Sequence, residues 1–406
     1  MKTYKTKLKL NNKQKTLFFK NASVARFAYN LTLGIEQENY KEGNKFLSDC
    51  GVRKLITQRK KDKEDLYWLS NFDCDIVKQA VKDACRAYKR FFDKKGNYPK
   101  FKSRKRTRPS FYVDGWKLKI ENGYIKIPRC SKVKLYEKDY IPEGLNYQNP
   151  RITFDGINWW ISVGLKEEQP KPQLTDETVG VDLGVKYLAT CSTGKVYLNP
   201  TKQKNYRKVR KSLKQKQRQM ARKFLENKRG EQFRKTKNIL KLEKVIRKKQ
   251  IKLNDIKLDF FHKASTDLVR TKPNVIVLED LYVKGMLKNK NRAESLHRSS
   301  MSMFKTILVN KAESAGITIV EADRFFPSSQ LCSICGFKHV AMKDNRPVFD
   351  CPNCGHKMDR DLNASINLKN YPEFQGKLSL RRATQTQVSS NRERGFDEEG
   401  ILQKVI

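Results

Sequence analysis

The sequence predicts a multidomain α/β protein. Its 406 residues exceed what one hydrophobic core usually organises. Short β-like runs separated by Gly, Pro and Asn dominate residues 96–172. Two apolar runs follow at 178–182 and 274–279, with helical patterns around them, as in an α/β domain. We therefore expect a β-rich unit followed by an α/β unit.

The composition makes nucleic acid the expected partner. Lys and Arg number 87 against 43 Asp and Glu, which gives a net charge of +44. Repulsion at this charge opposes compaction unless a polyanion neutralises it. A membrane surface is the weaker alternative, because no apolar run approaches about eighteen residues and no secretory signal is visible. We therefore expect a cytoplasmic, nucleoid-associated protein with no membrane partner.

The N-terminal part is predicted to be a small β-barrel with a helical insertion. Residues 1–10 alternate in the two-residue period of a strand. Further β-like runs lie at 116–120, 124–127 and 159–163. Residues 75–92 form the clearest amphipathic helix, with a basic surface. We predict a barrel of residues 1–10 and 96–172, interrupted by a helical unit of residues 11–95.

A basic helical hairpin is predicted at residues 201–262. Residues 167–172 resemble a linker, and the second domain starts at 173. Between Thr201 and Gln250 there are 21 Lys or Arg and three acidic residues, and Gly230 separates two apolar stripes. This one-sided charge favours contact with a nucleic-acid backbone. A solvated, charge-rich helix pair stays open as the alternative.

Four of the nine cysteines predict a structural zinc ion. Cys332 and Cys335 form one CxxC pair, and Cys351 and Cys354 form a second. Fifteen residues separate the two pairs, and a glycine directly follows each pair. Two such pairs offer four thiolates in the tetrahedral arrangement that Zn²⁺ prefers. Because four thiolates leave no open position on the ion, the zinc is expected to be structural. The alternatives are unrelated thiols or a disulfide, which a reducing compartment disfavours.

Three carboxylates form the candidate catalytic site. Asp182 and Glu279 each end an apolar run, where a buried carboxylate is costly without a cation, and Asp361 begins a helical run. Two Mg²⁺ ions would supply that cation and support hydrolysis of a phosphodiester. Most acidic residues are instead solvated surface charges. With four histidines in the chain, a histidine-based nuclease has little support.

At these residues the sequence resembles the TnpB (OrfB) family of insertion sequences, which are prokaryotic relatives of type V CRISPR effectors. The segments that carry the resemblance are 26–30, 98–102, 179–184, 277–281, 326–336 and 359–364. The resemblance implies a wedge-type β-barrel with a helical recognition insertion and an RNase H-like RuvC domain. That domain would comprise residues 173–330 and 358–374, with a zinc ribbon at 331–357 and a mobile tail at 375–406.

The resemblance also implies partners and roles. A monomer would bind a guide RNA derived from the end of the element and cut double-stranded target DNA next to a short duplex motif. Asp182, Glu279 and Asp361, rather than Asp359, would bind the catalytic Mg²⁺ ions. Nucleic-acid contacts are expected from two short stretches of the helical insertion: Arg26, Tyr29, Asn30, Lys78, Gln79 and Lys82. Residues 284–300 resemble a lid beside the site, or are an ordinary surface loop.

Two other functions remain open at this point. An RNA-guided repressor would share the basic surface and the ribbon but would not need the three carboxylates. A transposase could use RNase H-like carboxylates, but the ribbon between Glu279 and Asp361 and the barrel-plus-helix N-terminal half resemble TnpB instead.

Overall fold

Two β-sheets with helices packed on them form the framework of the computed structural model. It describes residues 2–61, 66–166, 173–230, 232–233, 235–280, 299–340 and 346–371. The chain divides into two units, Met1–Gln169 and Pro170–Ile406. The linker expected at 167–172, the tail at 375–406 and almost all of the lid at 284–300 lie outside the described residues. None of the described helices is long and apolar enough to cross a membrane.

The first unit contains a seven-stranded sheet that forms a half-barrel. Its strands are β1 (Lys2–Lys9), β2 (Ser110–Tyr112), β3 (Lys119–Glu121), β4 (Tyr124–Lys126), β5 (Val133–Leu135), β6 (Gln148–Phe154) and β7 (Trp159–Leu165). The order is β2-β6-β7-β1-β5-β4-β3. The N-terminal strand therefore joins this sheet, as the alternation of residues 1–10 predicts, and lies antiparallel to both β5 and β7.

One predicted strand is shorter than expected. The run 116–120 contributes only its last two residues to β3, since the preceding ones form a turn around Asp114. The carbonyl oxygen of Asp114 accepts the amides of Lys117 and Leu118, and its carboxylate accepts the amide of Trp116. An aspartate whose side chain bonds its own backbone two residues on favours a turn over a strand.

Along the described part of the chain, three helices follow β1 and precede β2. They are α1 (Asn12–Lys41), α2 (Asp49–Lys61) and α3 (Cys74–Phe92), with a 3-10 turn at Tyr67–Asn71. Asn11 and Gln14 form a capping box at the start of α1, and Asp73 caps α3. Phe18 of α1 packs edge-to-face on Phe111 and Trp159 of the sheet, with ring centroids 5.3 Å apart in both pairs. The helices and the sheet thus share one apolar core.

The second unit contains a five-stranded sheet and a basic hairpin. The strands of the five-stranded sheet are β8 (Thr175–Asp182), β9 (Tyr187–Cys191), β10 (Val196–Leu198), β13 (Pro273–Glu279) and β14 (Thr318–Ala322). Two separate two-stranded sheets consist of β11 (Lys228–Arg229) with β12 (Gln232–Phe233), and of β15 (Val348–Asp350) with β16 (Lys357–Asp359). The helices of the second unit are α4 (Lys204–Glu226), α5 (Lys237–Arg270), α6 (Met301–Ser314) and α7 (Arg360–Lys369).

The five-stranded sheet has the order β10-β9-β8-β13-β14. β8, β9 and β10 form an antiparallel meander, whereas β13 is parallel to both β8 and β14. This is the RNase H-like arrangement. Helices α5 and α6 cover one face through Phe261 and Phe304, and α7 covers the other through Leu368.

The predicted helical hairpin is present as α4 and α5. Apolar residues from both predicted stripes meet between the helices, including Leu213, Leu242 and Ile246. Gly230 lies at the turn with a φ of +57°, a backbone conformation that favours glycine. The second helix continues to Arg270, beyond the predicted end at 262, because Phe261, Ala264 and Leu268 pack on the sheet.

Candidate metal centres

Two acidic side chains end neighbouring strands of the second sheet. β8 ends at Asp182 and β13 ends at Glu279. The two strands are parallel and Val181 lies opposite Leu278, so the next residue of each strand continues the register. Adjacent strands lie about 4.8 Å apart, and residues in register project to the same face. Asp182 and Glu279 therefore lie side by side at the carboxyl edge of the sheet.

Asp361 reaches the same edge because α7 lies directly on β8 at a glycine. A Cβ at Gly180 would stand 2.0 Å from the carbonyl oxygen of Ser365, in space that the helix backbone occupies. Asp182 lies two residues beyond Gly180, about 6.6 Å along the strand, and Asp361 lies one turn before Ser365, about 6 Å along the helix. The Asp361 and Asp182 carboxylates also lie close enough to interact electrostatically, which places Asp361 near the same edge of the sheet.

Asp182, Glu279 and Asp361 form a carboxylate cluster in which burial and like charge raise the pKa of Asp182 and of Glu279. The pKa of Asp182 lies well above the ordinary aspartate value, first because of burial and then because of Glu279 and Asp361. Burial also raises the pKa of Glu279, while a hydrogen bond from Ser328 opposes that rise. All three residues are half-buried, so they are crowded by protein atoms yet reachable from solvent. A cation would relieve their mutual repulsion.

The donor set of the cluster fits hard divalent ions. All its side-chain ligand atoms are carboxylate oxygens, which Mg²⁺ prefers. At least one pair of ligand atoms in the cluster lies more than 4.8 Å apart, whereas two other groups in the described part of the chain are tighter. Carboxylate clusters of this kind can hold two ions about 3.5–4 Å apart. The guanidinium of Arg360 now pairs with Asp361, with its nitrogen 3.0 Å from the carboxylate oxygen.

The four ribbon cysteines form the first of those tighter groups. Cys332 Sγ lies 3.7 Å from Cys354 Sγ, and Cys335 Sγ lies 3.6 Å from Cys351 Sγ. A tetrahedral zinc site with Zn–S bonds of about 2.3 Å has edges of about 3.8 Å. The quartet therefore fits Zn²⁺ as the sequence predicts, and the cysteine cluster within the ribbon domain supports a structural zinc ion.

Both cysteine pairs use the same turn. The amide of Gly336 donates to the carbonyl of Cys332, and the amide of Gly355 donates to that of Cys351, each at 2.9 Å. Both glycines have a φ of +71°, which explains why glycine follows each pair. At Cys335, hydrogen bonds from the backbone of Phe337 and then other neighbours lower the thiol pKa to about 6. At Cys354, a backbone hydrogen bond with His356 lowers the thiol pKa, but bonds with the other three thiols outweigh it and raise the value to about 12. Without an ion the four thiols thus share protons unequally, whereas zinc would take all four as thiolates.

The second tight group, Asp73, Cys74 and Asp75, belongs to the first unit and has a different character. Lys117 forms ion pairs with both Asp73 and Asp75, so a side-chain cation already neutralises them. Asp73 also caps α3 by accepting the amide of Asp75. These contacts give the group a structural role at the start of the helix.

The candidate nucleic-acid residues lie on α1 and α3 of the first unit. Lys78 and Lys82 are exposed, and Gln79 donates to Asp83 at 2.9 Å, which fixes its orientation beside them. Arg26 and Gln79 line one cavity between α1, α3 and the sheet. Their contact with nucleic acid stays a prediction.

Tyr29 and Asn30 are engaged within the protein. The Lys102 ammonium lies 3.4 Å from the centroid of the Tyr29 ring. The Asn30 amide exchanges two hydrogen bonds with the backbone of Lys102, at 2.9 and 2.8 Å. Both side chains thus anchor the segment around Lys102, and any role in nucleic-acid binding is again only predicted.

Three family models match separate stretches of the chain. The OrfB family of IS605 elements, described as a probable transposase, matches residues 161–290. A helix-turn-helix domain of the same family matches residues 1–45, and the TNB domain of Cas12f1-like proteins matches residues 302–368. Together the matches cover more than half of the chain. These matches confirm the resemblance to the TnpB (OrfB) family that the sequence motifs indicate.

Sequence similarity to known proteins covers most of the chain. A Streptomyces pristinaespiralis protein, provisionally named as an RNA-guided DNA endonuclease, is 29% identical over 315 residues, which are 77% of this chain and 75% of the relative. Escherichia coli K12 InsQ, named in the same provisional way, is 27% identical over 390 residues, 91% of each chain. The Cas12f1 chain in a cryo-EM structure of its complex with sgRNA and target DNA has a TM-score of 0.58 and 15% identity, with 89% of this chain and 84% of that one covered. This last likeness shows the shared fold.

The structure adds residues around the candidate site that the sequence did not single out. Buried Ser328 donates to the Glu279 carboxylate, and Lys305 donates to the Glu279 carbonyl oxygen at 3.0 Å. Asn363 and Asn367 are also buried and donate to the loop that carries Ser328. The available signal was weak: small polar residues beside a cysteine pair and within a short helix have no periodic pattern. For residues 1–45, the described part forms β1 and α1, in place of the paired helices that a helix-turn-helix requires.

Proposed function

We propose that this TnpB-family chain is an RNA-guided DNA endonuclease of an IS605-type element, which cuts target DNA by Mg²⁺-dependent phosphodiester hydrolysis. The observation that carries the proposal is the meeting of Asp182, Glu279 and Asp361 at one sheet edge. Two strands in register and a helix seated on Gly180 bring them there. The names of the relatives and the fold shared with Cas12f1 support the same activity.

The three carboxylates would hold two Mg²⁺ ions. When bound, the ions supply an activated water and stabilise the oxygen that leaves the cleaved phosphodiester. Asp182, Glu279 and Asp361 would together supply the carboxylate oxygens that hold the ions at the sheet edge. Arg360 pairs with Asp361 and so places a positive charge beside the cluster, where it could attract a phosphate.

Guide RNA and double-stranded DNA are the proposed partners. A net charge of +44 requires extensive neutralisation, and the Cas12f1 in the matched structure binds sgRNA and target DNA. In such effectors pairing reads the sequence while the protein reads a short adjacent motif. We assign motif contact to Lys78, Gln79 and Lys82, and propose that one copy of the protein acts with its RNA in the cytoplasm, close to the nucleoid.

Cleavage explains the site better than binding alone. In a protein that only binds DNA, this cluster would destabilise the fold without serving any function, because burial and then neighbouring carboxylates raise the pKa of both Asp182 and Glu279. Replacement by neutral polar residues would suit such a repressor better. A transposase would also use carboxylates, and the description of the family model favours keeping that candidate in the test.

The test is plasmid cleavage by the protein purified with its RNA. Wild type should cut a plasmid that carries the target and its adjacent motif when Mg²⁺ is present, whereas Asp182→Ala and Glu279→Ala should bind the plasmid without cutting it. Asp359→Asn is the matched control, since it keeps an N-cap oxygen for α7 and lies outside the cluster. Equal cutting by wild type and both alanine variants would refute the site. Strand joining in place of cutting would favour the transposase.

A further inference from the structure

A serine outside the three carboxylates contacts one of them directly. The hydroxyl of Ser328 donates to Glu279 Oε1 at 2.5 Å, and Ser328 is only 4% exposed. A hydroxyl-to-carboxylate bond of this length belongs to the strong, charge-assisted class. It engages one oxygen of Glu279 and so restricts rotation of the carboxylate.

The loop that carries Ser328 is fastened to α7 by two asparagines. Asn367 donates to the carbonyl oxygens of Ser328 and Leu331, both at 2.7 Å. Asn363, one turn earlier, donates to Leu331 at 2.6 Å and accepts the amide of Ser333 at 3.0 Å. Both asparagines are buried, so these bonds are shielded from competing water.

These contacts connect elements that are distant in the chain. Glu279 ends β13, whereas the two asparagines lie on the helix that carries Asp361. The loop that begins at Ser328 leads directly into the first zinc-binding pair, since Cys332 lies four residues later and Ser333 follows it. The orientation of Glu279 is therefore fixed against the helix of Asp361 at one end of the loop and against the cysteine quartet at the other.

We propose that Ser328 is a positioning residue for the second metal-binding carboxylate, with Asn363 and Asn367 acting as the clamp that holds it in place. This inference rests on the proposed function. The ribbon thereby contributes to the nuclease site through its connecting loop. Metal ligands in proteins are commonly oriented by such hydrogen-bonded neighbours, and loss of one typically weakens metal binding about 10–100-fold.

The test measures Mn²⁺ binding by electron paramagnetic resonance, together with plasmid cutting across a Mg²⁺ titration. Ser328→Ala should weaken Mn²⁺ binding about tenfold and raise the Mg²⁺ concentration needed for half-maximal cutting, while zinc content stays at wild-type level. Ser328→Thr keeps the hydroxyl and should restore both. Ser365→Ala is the matched control, since it removes an equally buried hydroxyl whose bond goes to the carbonyl of Leu362.

A second variant keeps the inference testable if Ser328→Ala folds poorly. Asn367→Leu removes the clamp residue that bonds the carbonyl of Ser328 but leaves the serine hydroxyl, and it should also weaken Mn²⁺ binding. Because both residues act through Glu279, the double variant should lose less than the sum of the two single losses. A purely structural role would instead lower the unfolding temperature without changing Mn²⁺ affinity in the folded fraction.

The outcomes separate this inference from the proposed function. If Glu279→Ala abolishes cutting while Ser328→Ala and Asn367→Leu bind Mn²⁺ and cut as wild type does, the positioning role is refuted and the nuclease stands. If Asp182→Ala and Glu279→Ala themselves cut normally, the proposed function fails first.

Discussion

Replacing Gly180 with alanine should disable cutting without touching any proposed metal ligand. The new Cβ would stand 2.0 Å from the carbonyl oxygen of Ser365 and 2.4 Å from the amide nitrogen of Lys369. Both are backbone atoms of α7, so no side-chain rotation can relieve the clash. Real Cβ atoms essentially never approach within 3.0 Å, so the helix must retreat from β8 by at least about 1 Å.

This displacement of α7 should reduce both the stability of the protein and the rate of cutting. Overpacking of this kind costs about 1–3 kcal/mol of unfolding free energy. Asp361 moves with α7 while Asp182 stays on β8, and a displacement of about 1 Å in a catalytic constellation can reduce the rate about 100-fold. Activity should therefore fall much more than stability.

The assay pairs plasmid-cutting rates of the RNA-bound protein with urea unfolding. Gly34→Ala is the control, because a Cβ there meets nothing within 4 Å and the glycine lies inside α1. That variant should cut normally and gain about 0.5–1 kcal/mol from the better helix former. Wild-type cutting and unchanged stability in Gly180→Ala would show that α7 does not position Asp361 as described.

Four further outcomes follow from the structure. Cys351→Ser should lose zinc and solubility while all three carboxylates remain, and normal zinc stoichiometry by atomic absorption would overturn the ribbon assignment. Asp359→Ala should lower the unfolding free energy by about 1 kcal/mol through loss of the α7 cap, yet retain cutting, whereas Asp361→Ala should abolish it. In Mg²⁺-free buffer, the free energy of unfolding should fall as pH rises through the raised pKa values of Asp182 and Glu279. The reason is that the stability gained from protonating these two side chains in the folded state is complete only below their unfolded-state pKa values. Urea titrations at several pH values should show this fall, and added Mg²⁺ should reduce it. Lys78→Ala and Lys82→Ala should each reduce DNA affinity and lower the salt dependence of binding by about one ion, and an unchanged slope in filter binding would exclude phosphate contact.

The carboxylates at the strand ends were predictable because buried strands have a simple sequence pattern. An apolar run that stops at an acidic residue indicates a buried strand with its charge at the edge of a sheet, and both Asp182 and Glu279 have this pattern. The cysteine pairs were predictable for a similar reason, since zinc requires four ligands at fixed spacing. The RNase H-like arrangement came from the family resemblance and is confirmed by the strand order.

Other features depend on contacts that no local pattern records. Gly180 looks like an ordinary strand glycine until α7 is seen against it. Ser328 and the two asparagines matter only because residues far apart in sequence meet. Trp116, predicted within a strand, lies instead in a turn because Asp114 bonds the local backbone. Tertiary proximity, and not propensity, decides each of these cases.

The placement of β1 between β5 and β7 has a consequence for biosynthesis. Lys2 pairs with Leu165 and Leu8 with Trp159, so β1 must wait during synthesis for partners that follow it by more than a hundred residues. At about 5–20 residues per second, that delay is roughly 8–30 s. During this delay, the unpaired strand and the apolar side of α1 are accessible to chaperones or to aggregation.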